Sequence, residues 1–233
     1  MILNKRVLIT KIVQETPDSK TFYVENPKEP YMPGQFFMIS ITIDGKDVKR
    51  AYSIATSPTE EELAFTIKIT PGGAFSTHAC TNMNEGDEMI ISGPYGKFVY
   101  NDEKEAINLI GAGSGIVPLR GILQYIVDKN YDLPVKLFFS NKTEQDIIYK
   151  EYFEKMKNET DIFTYYYTLT ALPENSTWDG ARGRITKEIL ENEMDNPDGI
   201  NYICGSPDFV RAIEAALKEM GVPEEKIKTE KYN

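Results

Sequence analysis

The sequence predicts a chain of two unlike folding units, an antiparallel β-barrel over residues 1–100 and a doubly wound parallel α/β unit over residues 101–233. Three observations carry the prediction. Through the first hundred residues, short runs of β-branched and aromatic residues alternate with turn residues. From about residue 101 onward, apolar strand-like runs alternate with helical patterns. A length of 233 residues, 41% hydrophobic and 27% charged, is ordinary for a globular chain and sufficient for a sizeable core in one or two domains.

In the first half, strands are expected over residues 7–13, 21–24, 35–41, 64–69 and 89–91. Thr16-Pro17-Asp18, Asp44-Gly45, Pro71-Gly72-Gly73 and Glu85-Gly86-Asp87 punctuate them as turns. The run around Arg50-Ala51-Tyr52-Ser53 has apolar neighbours and also reads as a strand. One helix, over 74–83, interrupts the series. Many short strands with regular punctuation suit a closed antiparallel barrel, which leaves no sheet edge exposed.

The rhythm changes across Tyr100-Asn101-Asp102-Glu103-Lys104-Glu105. A strand over 106–110 leads to a helix over 114–128, and a strand over 135–140 leads to a helix near 145–157. A third strand covers 163–169. Residues 201–204 run into a helix over 207–220, and a closing strand lies near 226–230. Such alternation builds a parallel sheet with helices on both faces.

Composition excludes several functions. Two cysteines, Cys80 and Cys204, could form one bridge but cannot hold a Cys-only iron–sulfur cluster or a four-Cys zinc site. The single histidine, His78, excludes a multi-histidine metal site, and no metal is expected. A formal net charge of −10 argues against nucleic acid or an anionic membrane as partner. No apolar run approaches membrane-spanning length, and the opening Met1-Ile2-Leu3-Asn4-Lys5-Arg6 leads straight into strand-like sequence, so the expectation is a cytoplasmic protein without a signal peptide.

Three stretches carry chemistry. Arg50-Ala51-Tyr52-Ser53 combines a guanidinium fork, an aromatic face and a small hydroxyl. On a regular strand Arg50 and Tyr52 share one face and Ser53 points to the other. One flat, phosphorylated ligand meets all three only if the strand ends or twists near Ser53; the same quartet also suits an ordinary strand edge. Gly72-Gly73-Ala74-Phe75-Ser76-Thr77 is a turn entering a helix, where Gly73 and Ser76 could meet a pyrophosphate or simply make a capped hairpin turn. Gly111-Ala112-Gly113-Ser114-Gly115-Ile116-Val117-Pro118 joins a strand to a helix, with Ile116 in the place of the third glycine of the Rossmann fingerprint. Pro118 suits the first turn of that helix. Cys204-Gly205-Ser206-Pro207 repeats the arrangement at another strand end, and both turns are expected to line one crevice.

Arg50-x-Tyr52-Ser53, Gly73-x-x-Ser76, Gly93-Pro94-Tyr95-Gly96, Gly111-x-Gly113-x-Gly115-Ile116-x-Pro118 and Cys204-Gly205, in this order and with Pro33-Gly34-Gln35-Phe36 ahead of them, resemble the ferredoxin–NADP reductase family. The resemblance spans almost the whole chain. It implies an FAD-binding barrel followed by a nicotinamide-nucleotide domain, with the two rings stacked where the domains meet. It implies that Tyr52 stacks on the isoalloxazine, that Ser53 bonds near its reactive nitrogen, and that Arg50, Gly73 and Ser76 hold the FAD pyrophosphate. Ala51 and Phe75 belong to the same flavin-binding set. Ile67, Lys68 and Ile69 lie on the strand that passes the adenosine half in relatives. The resemblance places Gly111, Gly113, Ser114, Gly115, Pro118, Ser140, Asn141, Cys204 and Gly205 around the nicotinamide nucleotide. The ending Glu230-Lys231-Tyr232-Asn233 is similar to the family's Glu-x-aromatic ending and joins Glu230 and Tyr232 to Ser53 and Cys204 as the catalytic set. Tyr232 would cover the flavin and swing aside for the nicotinamide, unless it is simply a tail residue. Cys204 would place the nicotinamide sterically, a role that a bland buried thiol also fills.

The implied activity is a FAD-dependent oxidoreductase that passes hydride between NAD(P)H and FAD, then electrons to a separate redox protein such as ferredoxin or to a small acceptor. A reductase component of a multiprotein oxygenase or dehydrogenase, and a non-enzymatic flavin-binding module, are the alternatives. Ser140-Asn141-Lys142-Thr143 offers donors and a cation for a 2′-phosphate, but Leu169-Thr170-Ala171 stands where NADP-using relatives carry Ser-Arg, so the sequence leans to NADH. An acidic acceptor would need a local basic rim, for which Lys46, Lys49 and Lys97 are the candidates.

Overall fold

A computed structural model describes residues 3–173 and 175–232. Met1, Ile2, Glu174 and Asn233 lie outside the described residues, and so therefore do the first two residues of the opening stretch and the last residue of the C-terminal motif. The chain divides into two compact units, Met1–Asn101 with Arg120–Asp128, and Asp102–Leu119 with Lys129–Asn233.

The first unit is a six-stranded antiparallel sheet built from β1 (Leu3–Thr16), β2 (Ser19–Val24), β3 (Phe36–Ile43), β4 (Lys46–Ser53), β5 (Leu63–Lys68) and β6 (Glu88–Tyr95). The spatial order is β4-β3-β6-β1-β2-β5. The long β1 serves two neighbours in turn: Leu3 to Leu8 pair with β6, and from Ile9 onward the partner is β2. The sheet's two ends meet where the chain leaving β4 bridges β5, through Ile54 opposite Phe65 and an Ala55 N–H donating to the Ala64 carbonyl at 2.8 Å. Closure of this kind leaves little unpaired edge. β3 turns into β4 through Asp44-Gly45, both with positive φ (50° and 75°), the pair a tight hairpin of matching twist requires.

Alternation along β3 sends Phe37, Ile39 and Ile41 inward, where they meet Val7, Ile9, Phe22, Phe65 and Ile91 in one core. The helix α1 (Ala74–Asn82) closes that core from one end with Phe75, Ala79 and Cys80. β4 itself is mostly charged and exposed, with only Val48 and Tyr52 packing inward and Ser53 buried at its end.

The second unit is a parallel sheet in the order β10-β9-β8-β7-β11-β12. Its elements are β7 (Ile107–Ala112), α2 (Ile116–Asp128), β8 (Val135–Asn141), α3 (Lys150–Glu159), β9 (Phe163–Leu169), β10 (Ala181–Arg182), α4 (Lys187–Glu193), β11 (Ile200–Gly205), α5 (Pro207–Glu219) and β12 (Ile227–Lys231). Strand order reverses at β7, which has β8 on one side and β11 on the other. At that switch point the carboxyl ends of the strands open a crevice, the usual ligand position in such sheets.

Three features differ from the sequence-based expectation. The helix expected near 145–157 begins at Lys150, because Thr143 and Asp146 close a short capped turn first and Tyr149 then takes a left-handed conformation (φ 61°) that no helix continues through. β10 and α4 were not expected. Finally, a division at residue 100/101 assigns all of α2 to the second unit, whereas Arg120–Asp128 pack with the first. Gly121 sits at this contact: a Cβ there would stand 3.1 Å from the Thr56 carbonyl oxygen, so the missing side chain eases the close approach of the helix to that strand exit. The Arg120 guanidinium forks onto Glu60, and Tyr125 packs edge-on against Tyr100 at 6.1 Å.

Candidate functional site

In the first unit β4 ends at Ser53, the condition under which Arg50, Tyr52 and Ser53 can face one ligand. Arg50 and Tyr52 share the face that carries Val48; Ala51 between them is exposed. The Tyr52 ring lies 5.2 Å from that of Phe75 on α1. Burial pushes the Tyr52 phenol up, Cys80 adds to the shift, and the Arg50 charge offsets part of it. Ser53 sits opposite Phe36, which sits opposite Tyr95, and the two rings are 5.7 Å apart. Phe36 thus borders Ser53, and Tyr95 is next in the same row. Both stood within motifs quoted from the sequence, but only this register marks them as site candidates.

Gly73 is the N-cap of α1 and supplies no side-chain cap, so the first-turn amides keep no side-chain acceptor from that residue. The Ser76 hydroxyl is spent locally: it accepts from the Thr70 N–H at 3.0 Å and donates to the Gly73 carbonyl at 3.3 Å. An uncapped helix start is a donor set that fits an anion such as a pyrophosphate, and Arg50, whose exposed guanidinium donates to the Lys49 carbonyl at 2.8 Å, lies on the strand whose Tyr52 meets α1. Ile67 is fully buried in the core, Lys68 pairs with Asp18 at 2.5 Å, and the Ile69 N–H donates to the Asp18 carbonyl at 2.8 Å. These three lie on or just past β5 and are committed to the sheet.

In the second unit, Glu230, Cys204 and Gly111 stand in one row across β12, β11 and β7, and Ser140 lies opposite Ala112 one step further. Gly113, Ser114 and Gly115 form a 3-10 turn between β7 and α2, and Pro118 falls in the first turn of α2. The turn presses on the end of β11: a Cβ on Gly115 would stand 2.2 Å from the Cys204 carbonyl oxygen and 2.7 Å from the Gly205 nitrogen. The Tyr232 N–H donates to the Gly205 carbonyl at 2.9 Å, and its side chain hydrogen-bonds the Cys204 thiol. Burial pushes that thiol well up, the Glu230 carboxylate adds to it, and the bonds to Tyr232 and the Gly205 backbone offset part. Gly111, Gly113, Ser114, Gly115, Cys204, Gly205, Glu230 and Tyr232 therefore gather at the switch point. Asn141 ends β8, one residue after Ser140. Its side chain is buried, and neither its amide nitrogen nor its oxygen has a hydrogen-bond partner.

Both thiols are free and buried, and burial lifts Cys80 to about 11. At pH 8 a disulfide reagent is expected to leave the native protein unlabelled and to titrate both cysteines once denaturant is added. Rapid labelling of the folded protein would contradict this burial. Among the described residues no cluster suits a metal ion, and no helix is long and apolar enough to cross a membrane.

The oxidoreductase FAD-binding domain matches residues 7–100, and the oxidoreductase NAD-binding domain matches residues 109–215. The NADH-cytochrome b5 reductase 1 of Meyerozyma guilliermondii is 32% identical over 82% of this chain and 68% of its own length. The chain belongs to the ferredoxin–NADP reductase family. Another relative within reach of this family's fold, the glycine betaine monooxygenase reductase subunit of Pseudomonas aeruginosa, is 29% identical over 92% of this chain. The chain spans 60% of the length of that subunit, and the same share of several other curated relatives it matches. The FAD/NAD-binding domain of a nitric oxide dioxygenase from Vibrio cholerae has the same fold, with a TM-score of 0.88, 98% of both chains covered and 19% identity. In this family's terms the first unit is the FAD-binding domain, with the Arg50–Ser53 segment and the start of α1 as its candidate site. The second is the NAD-binding domain, with the turns after β7 and β11 as its own.

Proposed function

We propose that the chain works in the cytoplasm as an NADH-dependent flavoprotein reductase that delivers electrons to a separate redox protein. The ending of β4 at Ser53 carries the reading, because it lets a cation, a ring and a hydroxyl from four consecutive residues address one flat anionic ligand. FAD, when bound, accepts two electrons together and releases them singly. Arg50 and the start of α1 hold its pyrophosphate, Tyr52 supplies a stacking face, and Ser53 a hydrogen bond at the reactive edge. The Gly113–Gly115 turn and Gly205 let backbone approach the nicotinamide nucleotide closely. Cys204, kept as an uncharged thiol by its burial, shapes the nicotinamide seat rather than attacking it. Tyr232 lies against Cys204 and must leave it for that seat to fill, a gating movement.

Two observations support NADH over NADPH. Thr170 replaces the arginine that would meet a 2′-phosphate, and the cation beside Leu169 on β10, Arg182, spends its guanidinium on the Ser176 and Trp178 carbonyls. The acceptor is a haem or iron–sulfur protein. A b5-type cytochrome is suggested by the fungal relative, and a monooxygenase component by the bacterial one. A Cys-ligated cluster would sit on that partner, since this chain has two cysteines.

Anaerobic titration of the FAD-loaded protein tests the reading: NADH is expected to bleach the flavin band much faster than NADPH. Ser53→Ala should keep FAD bound and slow the bleaching about tenfold, the worth of one hydrogen bond made at the reacting edge. A flavin that NADH leaves oxidised would reject the reductase reading, and an unchanged rate in the variant would reject the role given to Ser53.

A further inference from the structure

Residues 102–105, which lead into β7, part their side chains to two sides. Asp102 accepts from the Tyr131 hydroxyl at 2.7 Å, and the Lys104 ammonium stands 3.9 Å over the same ring. Glu103 and Glu105 instead reach β12 and the turn before it: Glu103 pairs with Lys228, and Glu105 with Lys226 at 2.5 Å. Alternate acids thus meet alternate lysines, the period of two extended segments lying side by side.

The pair at Glu103 is the more enclosed of the two. Its side chains are 15% and 25% exposed, whereas Glu105 is 51% exposed. The hydroxyl of Tyr202, a fully buried residue, completes a ring with them, donating to Glu103 at 3.0 Å and accepting from the Lys228 ammonium at 2.9 Å. Ile203 and Ile227 pack on the side that carries α5, so Tyr202, Cys204, Lys228 and Glu230 share the opposite face. In register, Tyr202 stands opposite Lys228 and Cys204 opposite Glu230. The ring therefore lies one step before the row of Cys204 and Glu230, roughly 6.6 Å away at two residues along each strand.

We propose that Glu103 is a positioning residue for hydride transfer, because it holds Lys228 away from the Glu230 carboxylate; the proposal rests on the reading of Cys204 and Glu230 as part of the nicotinamide seat. A half-buried ammonium is costly without an anion, and the flexible four-carbon stem of lysine lets it change partners. Glu105 is held by Lys226, so the carboxylate next in line on the same face of β12 is Glu230. NADH gives up a hydride, two electrons with one proton, to the flavin and leaves as NAD+, so positive charge develops on its ring. A carboxylate in the seat favours that charge, and an ammonium drawn into the seat opposes it. Glu103 thus acts on the reaction through Lys228, from the segment leading into β7.

Rapid mixing of the FAD-loaded protein with NADH tests this. Glu103→Gln should slow flavin reduction about tenfold with NADH affinity nearly unchanged, whereas Lys228→Met should match the parent. The double variant Glu103→Gln/Lys228→Met should recover the parent's rate, since no ammonium is left to move. A crystal structure of Glu103→Gln, with or without flavin, should show the Lys228 ammonium within about 4 Å of the Glu230 carboxylate. A double variant that is as slow as Glu103→Gln, or that does not fold, would reduce the ring to a scaffold and overturn the proposal. So would a Lys228 that stays on Tyr202 in the variant crystal. If Glu103→Gln alone fails to fold, the double variant measured against the parent still decides. A parent flavin that NADH does not reduce would reject the seat itself, and the proposal with it.

Discussion

Gly115→Ala is expected to lower the stability of the chain by about 3 kcal/mol and its melting temperature by about 6–12 °C. The added carbon would stand 2.2 Å from the Cys204 carbonyl oxygen and 2.5 Å from its carbonyl carbon, distances that no non-bonded carbon sustains. Both obstacles are backbone at the end of β11, a strand paired on both sides, so neither can rotate away; the turn or the strand end must move. Because Cys204 and Gly205 belong to the candidate nicotinamide seat, NADH affinity should fall together with stability. Gly113→Ala is the natural control. Gly113 has φ +51° with open space around the missing carbon, so its substitution costs only the left-handed strain of about 1–2 kcal/mol. Thermal unfolding of the two variants side by side checks the argument. Equal melting temperatures for Gly115→Ala and the parent would mean that the close approach of turn and strand is not there.

Arg120→Met should cost about 2–3 kcal/mol and weaken FAD binding. The Arg120 side chain is only 12% exposed and that of Glu60 24%, and the two meet as a fork, with Nη1 on Oε2 and Nη2 on Oε1 at 2.9 Å. Nη1 also donates to the Ala55 carbonyl at 3.1 Å, and Glu60 accepts from the Ser57 N–H at 2.5 Å. Removing the cation leaves a carboxylate and a carbonyl half-buried without it; partial exposure keeps the loss below the 3–5 kcal/mol of a fully buried pair. The effect on FAD follows from position, since Ala55 lies two residues after Ser53 and the fork fixes the path of the chain leaving β4. A double-mutant cycle with Glu60→Gln should give a coupling of about 1–2 kcal/mol. Strict additivity of the two substitutions would show that the fork contributes nothing.

Much of this molecule is legible in its residues because the dominant signals are local. β7, β8 and β11 are largely apolar runs beside glycine or proline, and burial on both faces of a parallel sheet demands that pattern. β4 speaks less clearly: Lys46, Asp47, Lys49 and Arg50 carry no inward alternation, and the strand exists because β3 and the Asp44-Gly45 turn template it. β10 has two residues and α4 seven, each too short to display a period. The late start of α3 was written in Thr143 and Asp146, a capping pair whose closed turn ended before a helix could grow. At the site, the glycine-rich turns and the Arg50–Ser53 quartet announced themselves by composition. The row Ser53, Phe36, Tyr95 did not, since it depends on strand register between segments distant in sequence. Asn141 stands at a strand end in the sequence, and that its amide is buried without a protein partner shows only in the fold.

The packing of Arg120–Asp128 beside residues 54–60 bears on how such proteins exchange parts. A graft that moved residues 1–101 onto another nucleotide-binding partner would arrive without the helix whose Gly121 rests on the Ile54–Thr56 carbonyls. The barrel is therefore heritable as a working piece only with a segment encoded about 25 codons downstream of its last strand, which ends at Tyr95, beyond β7 and the glycine-rich turn. Recombination that respects the visible seam in the sequence would sever it, and a successful swap has to carry the helix along or supply one whose small residue falls at the same step.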